Sequence, residues 1–262
     1  MPRQLLIHSH RGLDFGPENT LLAFGKALAA GCGLELDVRL TKDGKIAIIH
    51  DSDLQHGAGV PDKISELTMA QIQRHGLFGT EEHVPSFDEL ATLLKQFKLP
   101  QDAIAVHLKL GEQTEPMMEL LADKIAEHGL EDVMFIFDVA RPAIDFLKAR
   151  NSKLRLAISL GAEHHAPTIF TMDDLSKFAD VPIIWWDEWG QAAGKLYSQE
   201  NLAPFKERGL KVYVISPDVA YQTNHPLAHD NKYLPMWRKL IDWGVDGVCT
   251  DQSKQFIKFL KN

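Results

Sequence analysis

Strand-like and helix-like runs alternate along this 262-residue chain from one end to the other. The strand-like runs are 4–8, 34–39, 103–110, 133–137, 154–160, 181–186, 211–216 and 245–249. The helix-like runs are 20–30, 86–97, 115–128, 142–149, 172–178, 199–208, 234–243 and 253–260. Eight strands, each followed by a helix, at a length near that of a single barrel, predict an α/β fold of the closed (β/α)₈ TIM-barrel type. An open doubly wound sheet is the alternative, and the count of eight favours the barrel. With no linker or internal repeat, 1–262 reads as a single domain.

One element interrupts the alternation. After 34–39 comes Thr41-Lys42-Asp43-Gly44-Lys45 and then the apolar run Ile46-Ala47-Ile48-Ile49. Asp-Gly between two strand-like runs is a hairpin signal. A two-residue turn at Asp43-Gly44 predicts an antiparallel hairpin with His50 directly across from Asp37, sharing its face. The segment 51–85, rich in small and polar residues with a weak helix at 68–74, reads as a small insertion capping the strand ends. The stretch 217–232 reads as a second irregular loop.

Composition removes several classes of function. A net charge of −8 argues against a nucleic-acid partner and offers no attraction to anionic membranes. No apolar run reaches the roughly 20 residues that span a bilayer. The start, Met1-Pro2-Arg3-Gln4, has no secretory apolar stretch, so the expected location is cytoplasmic. Cys32 and Cys249 form no disulfide framework and read as buried thiols.

Chemistry concentrates where barrel enzymes build their sites, at strand C-termini. Glu35 and Asp37 lie two apart and point the same way, with Leu34, Leu36 and Val38 on the opposite face. Inward carboxylates are costly unless paired or metal-bound, and hard oxygens suit magnesium, calcium or manganese. An ion-pair network with Arg39 is the plainer alternative. His10-Arg11-Gly12 ends the first strand: His10 can move protons, and Arg11 can grip a phosphate through paired hydrogen bonds. His50 joins the same surface through the hairpin. In 103–110, Ala103, Ala105, His107 and Lys109 form the inner face; Lys109 offers a point charge, and His107 is either a metal ligand or a wall residue.

Other residues have humbler alternatives. Asn19 reads as a helix N-cap as readily as a substrate contact. Asp251 either caps the last helix or lines the site. Trp185-Trp186-Asp187-Glu188-Trp189 reads as packing before pocket wall. His164, His165, His225 and His229 read as solvated loop residues.

The chain resembles the glycerophosphodiester phosphodiesterase family. The resemblance is carried by His10-Arg11-Gly12, Pro17-Glu18-Asn19-Thr20, Glu35-Leu36-Asp37-Val38, Thr41-Lys42-Asp43-Gly44, His50-Asp51, Val84-Pro85-Ser86-Phe87-Asp88-Glu89-Leu90, Lys109, Gly244-Val245-Asp246-Gly247 and Thr250-Asp251. It implies a (β/α)₈ barrel with a small insertion. It also implies metal-dependent hydrolysis of a small-molecule glycerophosphodiester to glycerol phosphate and an alcohol. Carried over residue by residue, Glu35 and Asp37 are metal ligands, His10 and His50 the acid–base pair, and Arg11 and Lys109 the phosphate contacts. Two positions depart from the family. His107-Leu108-Lys109 stands where relatives carry Glu-x-Lys, so a nitrogen replaces a third carboxylate and shifts preference towards imidazole-tolerant metals. Ile215-Ser216-Pro217-Asp218 stands where Trp-Thr-Val-Asn is usual, which alters a pocket wall. A phospholipase D-like lyase acting on lipid phosphodiesters and a non-catalytic phosphoester-binding barrel are the competing expectations.

Overall fold

Leu34, Leu36 and Val38 are fully buried on one face of their strand, and Glu35 and Asp37 are almost as buried on the other. A strand hidden on both faces belongs in a parallel sheet covered by helices, and that is its setting. The computed structural model describes residues 5–161, 166–187, 197–219 and 225–261. Its strands are β1 (Leu6–His10), β2 (Gly33–Leu40), β3 (Ile46–Ile48), β4 (Ile104–His107), β5 (Met134–Phe137), β6 (Arg155–Leu160), β7 (Ile169–Phe170), β8 (Ile183–Trp186), β9 (Lys211–Ile215) and β10 (Gly247–Thr250). The order β1-β10-β9-β8-β6-β5-β4-β2 is closed by β1 pairing with β2. These parallel pairings make an eight-stranded barrel. The short β7 adds to β6, and β3 runs antiparallel to β2.

The α-helices are α1 (Leu21–Ala29), α2 (Gln55–Ala58), α3 (Met69–Ile72), α4 (Phe87–Leu94), α5 (Glu115–His128), α6 (Arg141–Arg150), α7 (Gln199–Glu207), α8 (Leu234–Asp242) and α9 (Ser253–Phe259). The apolar faces of α1 and α4 to α9 pack on the outer side of the barrel in one continuous core. The predicted helix at 172–178 is a 3₁₀ helix, Met172–Phe178. Its buried Leu175 and Phe178 lie three apart, the period of that tighter winding. The segment after β3 packs α2, α3 and its loops around a small core of Leu54, Ile64, Met69, Ile72, Leu77 and Val84.

The barrel interior is layered. At its lower end, Asp102 is fully buried and receives hydrogen bonds from Arg155 Nη2 at 3.0 Å, Lys211 Nζ at 2.6 Å and the Tyr213 hydroxyl at 2.9 Å. Above it, Phe135 stacks on Tyr213 at 5.1 Å, and Phe137 stacks on Trp185 at 4.3 Å. Gly33 is required where β2 enters beside β4, because a Cβ there would lie 2.1 Å from the Ala103 carbonyl oxygen.

The hairpin differs from expectation by one residue. Val38 faces Ile48, Arg39 faces Ala47 and Leu40 faces Ile46, so His50 is not across from Asp37. The turn has three residues instead of two. Gly44 N–H donates to the Thr41 carbonyl at 3.1 Å, Thr41 and Lys45 close the loop at 2.9 Å, and Gly44 takes φ 68°. A type I turn followed by a left-handed glycine is the standard three-residue hairpin loop. A slip of one residue normally sends a side chain to the opposite face. His50 escapes that because the chain leaves the ladder after Ile49, whose amide still donates to the Asp37 carbonyl at 3.1 Å, and Arg39 Nε and Nη2 hold the His50 carbonyl at 3.0 and 2.7 Å. The histidine reaches the barrel mouth by a clamped loop, not by strand register.

Candidate active site

β1 delivers His10 and β2 delivers Glu35 at the same level, since the two residues are direct partners in the ladder. β2 and β4 likewise pair Asp37 with His107. Parallel in-register strands therefore bring three sequence-distant motifs to one end of the barrel, as the fold requires of its catalytic face. His10, Arg11, Glu35, His50, His107 and Lys109 line the charged side of a cavity of about 570 Å³. Its opposite wall is largely apolar, with Phe137, Ile169, Trp185 and Ile215. All seven residues singled out from sequence meet here, with Asp37 fully buried just behind the surface.

Asp37 is the hub. Its Oδ1 lies 3.0 Å from His107 Nδ1 and 3.2 Å from Lys109 Nζ. Its Oδ2 lies 3.4 Å from Arg11 Nε and accepts from Asn19 Nδ2 at 3.3 Å. Burial alone would raise the Asp37 carboxyl; the hydrogen bond from His107 and the charges of Lys109, His107 and Arg11 hold it well below the usual carboxylate range. Glu35 moves the other way. Burial and the neighbouring Asp37 charge push it up, more than His10, Arg11 and His107 pull it down. Two adjacent carboxyls thus occupy opposite electrostatic states.

The two catalytic histidine candidates also diverge. His10 is buried, its Nδ1 is 2.6 Å from Asp251 Oδ1, and its Nε2 is 3.8 Å from Glu35 Oε2. Burial would lower His10, but the Asp251 hydrogen bond and the Glu35 and Asp251 charges outweigh it and raise it. His50 sits nearer solvent with its Nδ1 2.6 Å from Asp51 Oδ1. Desolvation, with Arg11 and Lys109 as repelling charges, lowers it despite Asp37 and Asp51.

Arg11 is held at φ 52°, an uncommon value for a residue with a side chain. Its amide donates to the Glu35 carbonyl at 3.0 Å, and its Nη1 to Glu18 Oε2 at 3.2 Å. Asn19 is not the helix cap: Thr20 caps α1 through its side chain, and Asn19 instead turns inward to Asp37. Asp251 does not cap the last helix either, since Gln252 holds that position; it lines the site against His10. Arg39 does not join Glu35 and Asp37. It pairs with Glu112 at 3.0 Å outside them, so the simple Arg39 network is not what occupies the inner face.

One residue of the site, Asp138, escaped the sequence reading, and another, Asp187, was read there only within the tryptophan-rich motif, as packing before pocket wall. Asp138, after β5, places Oδ2 3.0 Å from His107 Nε2. Asp187, after β8, lines the cavity and is buried. Trp185 is both packing and pocket wall, whereas Trp186 points outward and packs on Tyr197 and Phe205. His225 is buried, not solvated, with Nδ1 accepting from the Leu227 amide at 3.0 Å; His229 is exposed. His164, His165, Glu188 and Trp189 lie outside the described residues. Cys32 and Cys249 are buried free thiols.

Ligand atoms of Glu35, Asp37 and His107 all lie within 4.8 Å of one another. Two carboxylate oxygens and one imidazole nitrogen converging at a cavity wall fit a divalent cation in both charge and donor type. A second group of this kind, Asp88, Glu127 and His128, sits on the outside and is tied to Lys124.

The glycerophosphoryl diester phosphodiesterase family matches residues 10–255. The chain belongs to that family. It is 42% identical over 271 residues to the uncharacterized protein YqiK of Bacillus subtilis, spanning 98% of each chain. It is 43% identical over 173 residues to a glycerophosphodiester phosphodiesterase of Bacillus altitudinis, covering 63% of this chain and 70% of that one. Among solved structures it resembles a putative glycerophosphodiester phosphodiesterase of Galdieria sulphuraria, with TM-score 0.78 and 20% identity over 99% of this chain and 98% of the other. It also resembles an Oleispira antarctica phosphodiesterase solved with the product sn-glycerol-3-phosphate, with TM-score 0.75 and 18% identity over 98% and 97%. The solved structures establish the TIM barrel, and membership of the family makes the chain a phosphoric diester hydrolase of the glycerophosphodiester phosphodiesterase kind. No helix among the described residues is long and apolar enough to cross a membrane.

Proposed function

We propose that this enzyme hydrolyses glycerophosphodiesters to glycerol phosphate and an alcohol with a divalent cation held by Glu35, Asp37 and His107. The observation that carries this reading is the convergence of those ligand atoms within 4.8 Å on a wall shared with His10, His50, Arg11 and Lys109. A cation bound there would supply Lewis acidity and offset charge on the phosphoryl oxygens. Arg11 and Lys109 orient the phosphate and balance the charge that develops as the ester bond breaks. Both sit beside Asp37 at 3.4 and 3.2 Å, which puts their charges next to the proposed cation site.

The environments of the two histidines divide the proton work. His50 is nearer solvent and is disfavoured from charging by Arg11 and Lys109; it serves as base for the attacking oxygen. His10 is deep and backed by Asp251 and Glu35, which favour its charged form; it serves as acid for the leaving alcohol. Opposed shifts in a pair of titratable groups mark such assignments. The substrate is a small molecule, and the alcohol is set by the apolar wall of the cavity.

The test is hydrolysis of bis(p-nitrophenyl) phosphate and glycerophosphocholine by chelator-treated protein resupplied with magnesium, calcium, manganese or cobalt. Turnover should return with metal. On glycerophosphocholine, His10→Ala and His50→Ala should each lower kcat by roughly 10²–10⁴-fold. Full activity in chelator, or unchanged kcat in both variants, would sink the mechanism. With p-nitrophenyl esters, whose leaving group needs little protonation, the loss in His10→Ala should shrink while that in His50→Ala persists.

A further inference from the structure

His107 is one of the two positions at which the sequence departs from the family pattern, and its surroundings explain how it fits. The imidazole has two nitrogens, and each faces a carboxylate: Nδ1 at 3.0 Å from Asp37 Oδ1 and Nε2 at 3.0 Å from Asp138 Oδ2. The ring lies flat on Phe137, with centroids 4.9 Å apart and planes 17° from parallel. An isolated ion pair needs one carboxylate. Two at opposite ends of a stacked ring fix its orientation completely.

Asp138 is itself held in place. It sits at φ 59°, a left-handed conformation that is uncommon for a residue with a side chain and persists where surroundings impose it. Its amide donates to Ser159 Oγ at 3.0 Å. Its carbonyl accepts from Gln113 Nε2 at 2.7 Å, and the same Nε2 donates to the Leu108 carbonyl at 3.0 Å. Gln113 Oε1 then accepts from the Ala140 amide at 2.9 Å. One side-chain amide therefore ties the residue after His107 to both sides of the Asp138 turn.

We infer that Asp138 is a positioning residue for a metal-binding imidazole: by accepting the Nε2 proton of His107 it turns Nδ1 towards Glu35 and Asp37. Metal-ligating histidines commonly donate their other N–H to a carboxylate, which fixes the tautomer and raises the basicity of the ligating nitrogen. The arrangement also returns, one shell out, the negative charge lost when imidazole stands in place of a carboxylate. The resulting O,O,N set favours manganese, cobalt or zinc over calcium. The inference rests on the metal reading above.

The test uses the full chain, stripped with chelator and titrated with Mn²⁺ alone. Pulsed EPR on the bound Mn²⁺ should show ¹⁴N coupling that disappears in His107→Gln. Asp138→Asn and Asp138→Gly both tolerate the left-handed backbone. Each, checked for folding by circular dichroism, should weaken Mn²⁺ binding by roughly 10–100-fold and shift the preference back towards Ca²⁺. Bound Mn²⁺ without ¹⁴N coupling, or wild-type affinity in both folded Asp138 variants, would overturn the role of Asp138 while leaving the metal site standing. Failure of the intact protein to bind any divalent cation would overturn both.

Discussion

His8 offers a pH dependence of stability that can be worked from the structure. It lies at the lower end of the barrel, two residues below His10 on the same inward face, and is fully buried. Its ring meets Phe135, Trp185 and Tyr213 edge-on at 5.7, 5.9 and 5.0 Å. Nε2 donates to the Asp102 carbonyl at 2.8 Å, and Nδ1 has no hydrogen-bond partner among the described residues. Burial lowers His8 from 6.5 to about 4, against a smaller upward pull from the Asp102 carbonyl and charge. Arg155 and Lys211, on the far side of that carboxylate, add no acceptor for a second ring proton.

Between those two values the unfolded chain binds a proton that the folded chain refuses, so stability rises with pH there. The contribution is complete above 6.5 and is lost as pH falls towards 4. At about 1.4 kcal/mol per pH unit, acidification from 7.5 to 5 removes about 2 kcal/mol through this group alone. His8→Gln keeps an amide able to reach the Asp102 carbonyl and cannot titrate. Urea unfolding of both proteins at pH 7.5 and 5.0 gives a double difference in which the other titrating groups cancel. The variant should lose about 2 kcal/mol less than the wild type over that interval. A double difference near zero would mean that the folded barrel accepts the proton, and the reasoning from burial would fail.

Other consequences are direct. Asp102→Asn leaves Arg155 and Lys211 facing a neutral amide in the barrel floor and should cost about 3 kcal/mol, read as a lower melting temperature with activity at 25 °C largely retained. Gly33→Ala puts a Cβ against the Ala103 carbonyl oxygen, 2.1 Å away without movement. Because backbone must yield on both strands, we expect a loss at the upper end of the roughly 1–3 kcal/mol range for overpacking, again by thermal melting. Arg11→Lys removes the fork that spans Glu18 and Asp37; KM for a phosphodiester should rise about tenfold, an effect of order 1.4 kcal/mol on binding, while Arg11→Ala should be worse.

The barrel was legible because parallel strands covered on both faces leave long apolar runs that punctuation separates cleanly. The in-register pairing of β1, β2 and β4 then made the meeting of these side chains a consequence of strand order, so Glu35, Asp37, His10 and His107 could be placed at one barrel end from sequence alone. What was misread, left open or missed was decided by single backbone angles. Gly44 at φ 68° adds one residue to the hairpin loop, which moved His50 out of the expected register. Asn19 at φ 53° turns away from capping and towards Asp37. Asp138 at φ 59° turns into the site from a position that reads, in sequence, as an ordinary strand-to-helix loop. The available signal for Asp138 was indirect: a histidine replacing a family carboxylate calls for a compensating acid nearby.

The two carboxylates of β2 do unequal work, and this has a measurable consequence. Both oxygens of Asp37 are already engaged, by His107 and Lys109 on one side and by Arg11 and Asn19 on the other. Glu35 has far less: the Arg11 amide at 3.3 Å and His10 at 3.8 Å, against burial and the Asp37 charge. A bound cation therefore relieves Glu35 more than Asp37, and without that cation Glu35 is the group the fold holds at a cost. Neutralising it should stabilise the chelator-treated protein, as polar active-site groups often trade stability for function. Glu35→Gln should raise the melting temperature in chelator by a few degrees and abolish metal-stimulated turnover. Asp37→Asn should abolish turnover and lower the melting temperature, since it strips the partner from three cationic groups at once. If both variants melt lower than wild type in chelator, Glu35 is a structural carboxylate satisfied within the protein, and the division of labour argued from the contacts is wrong.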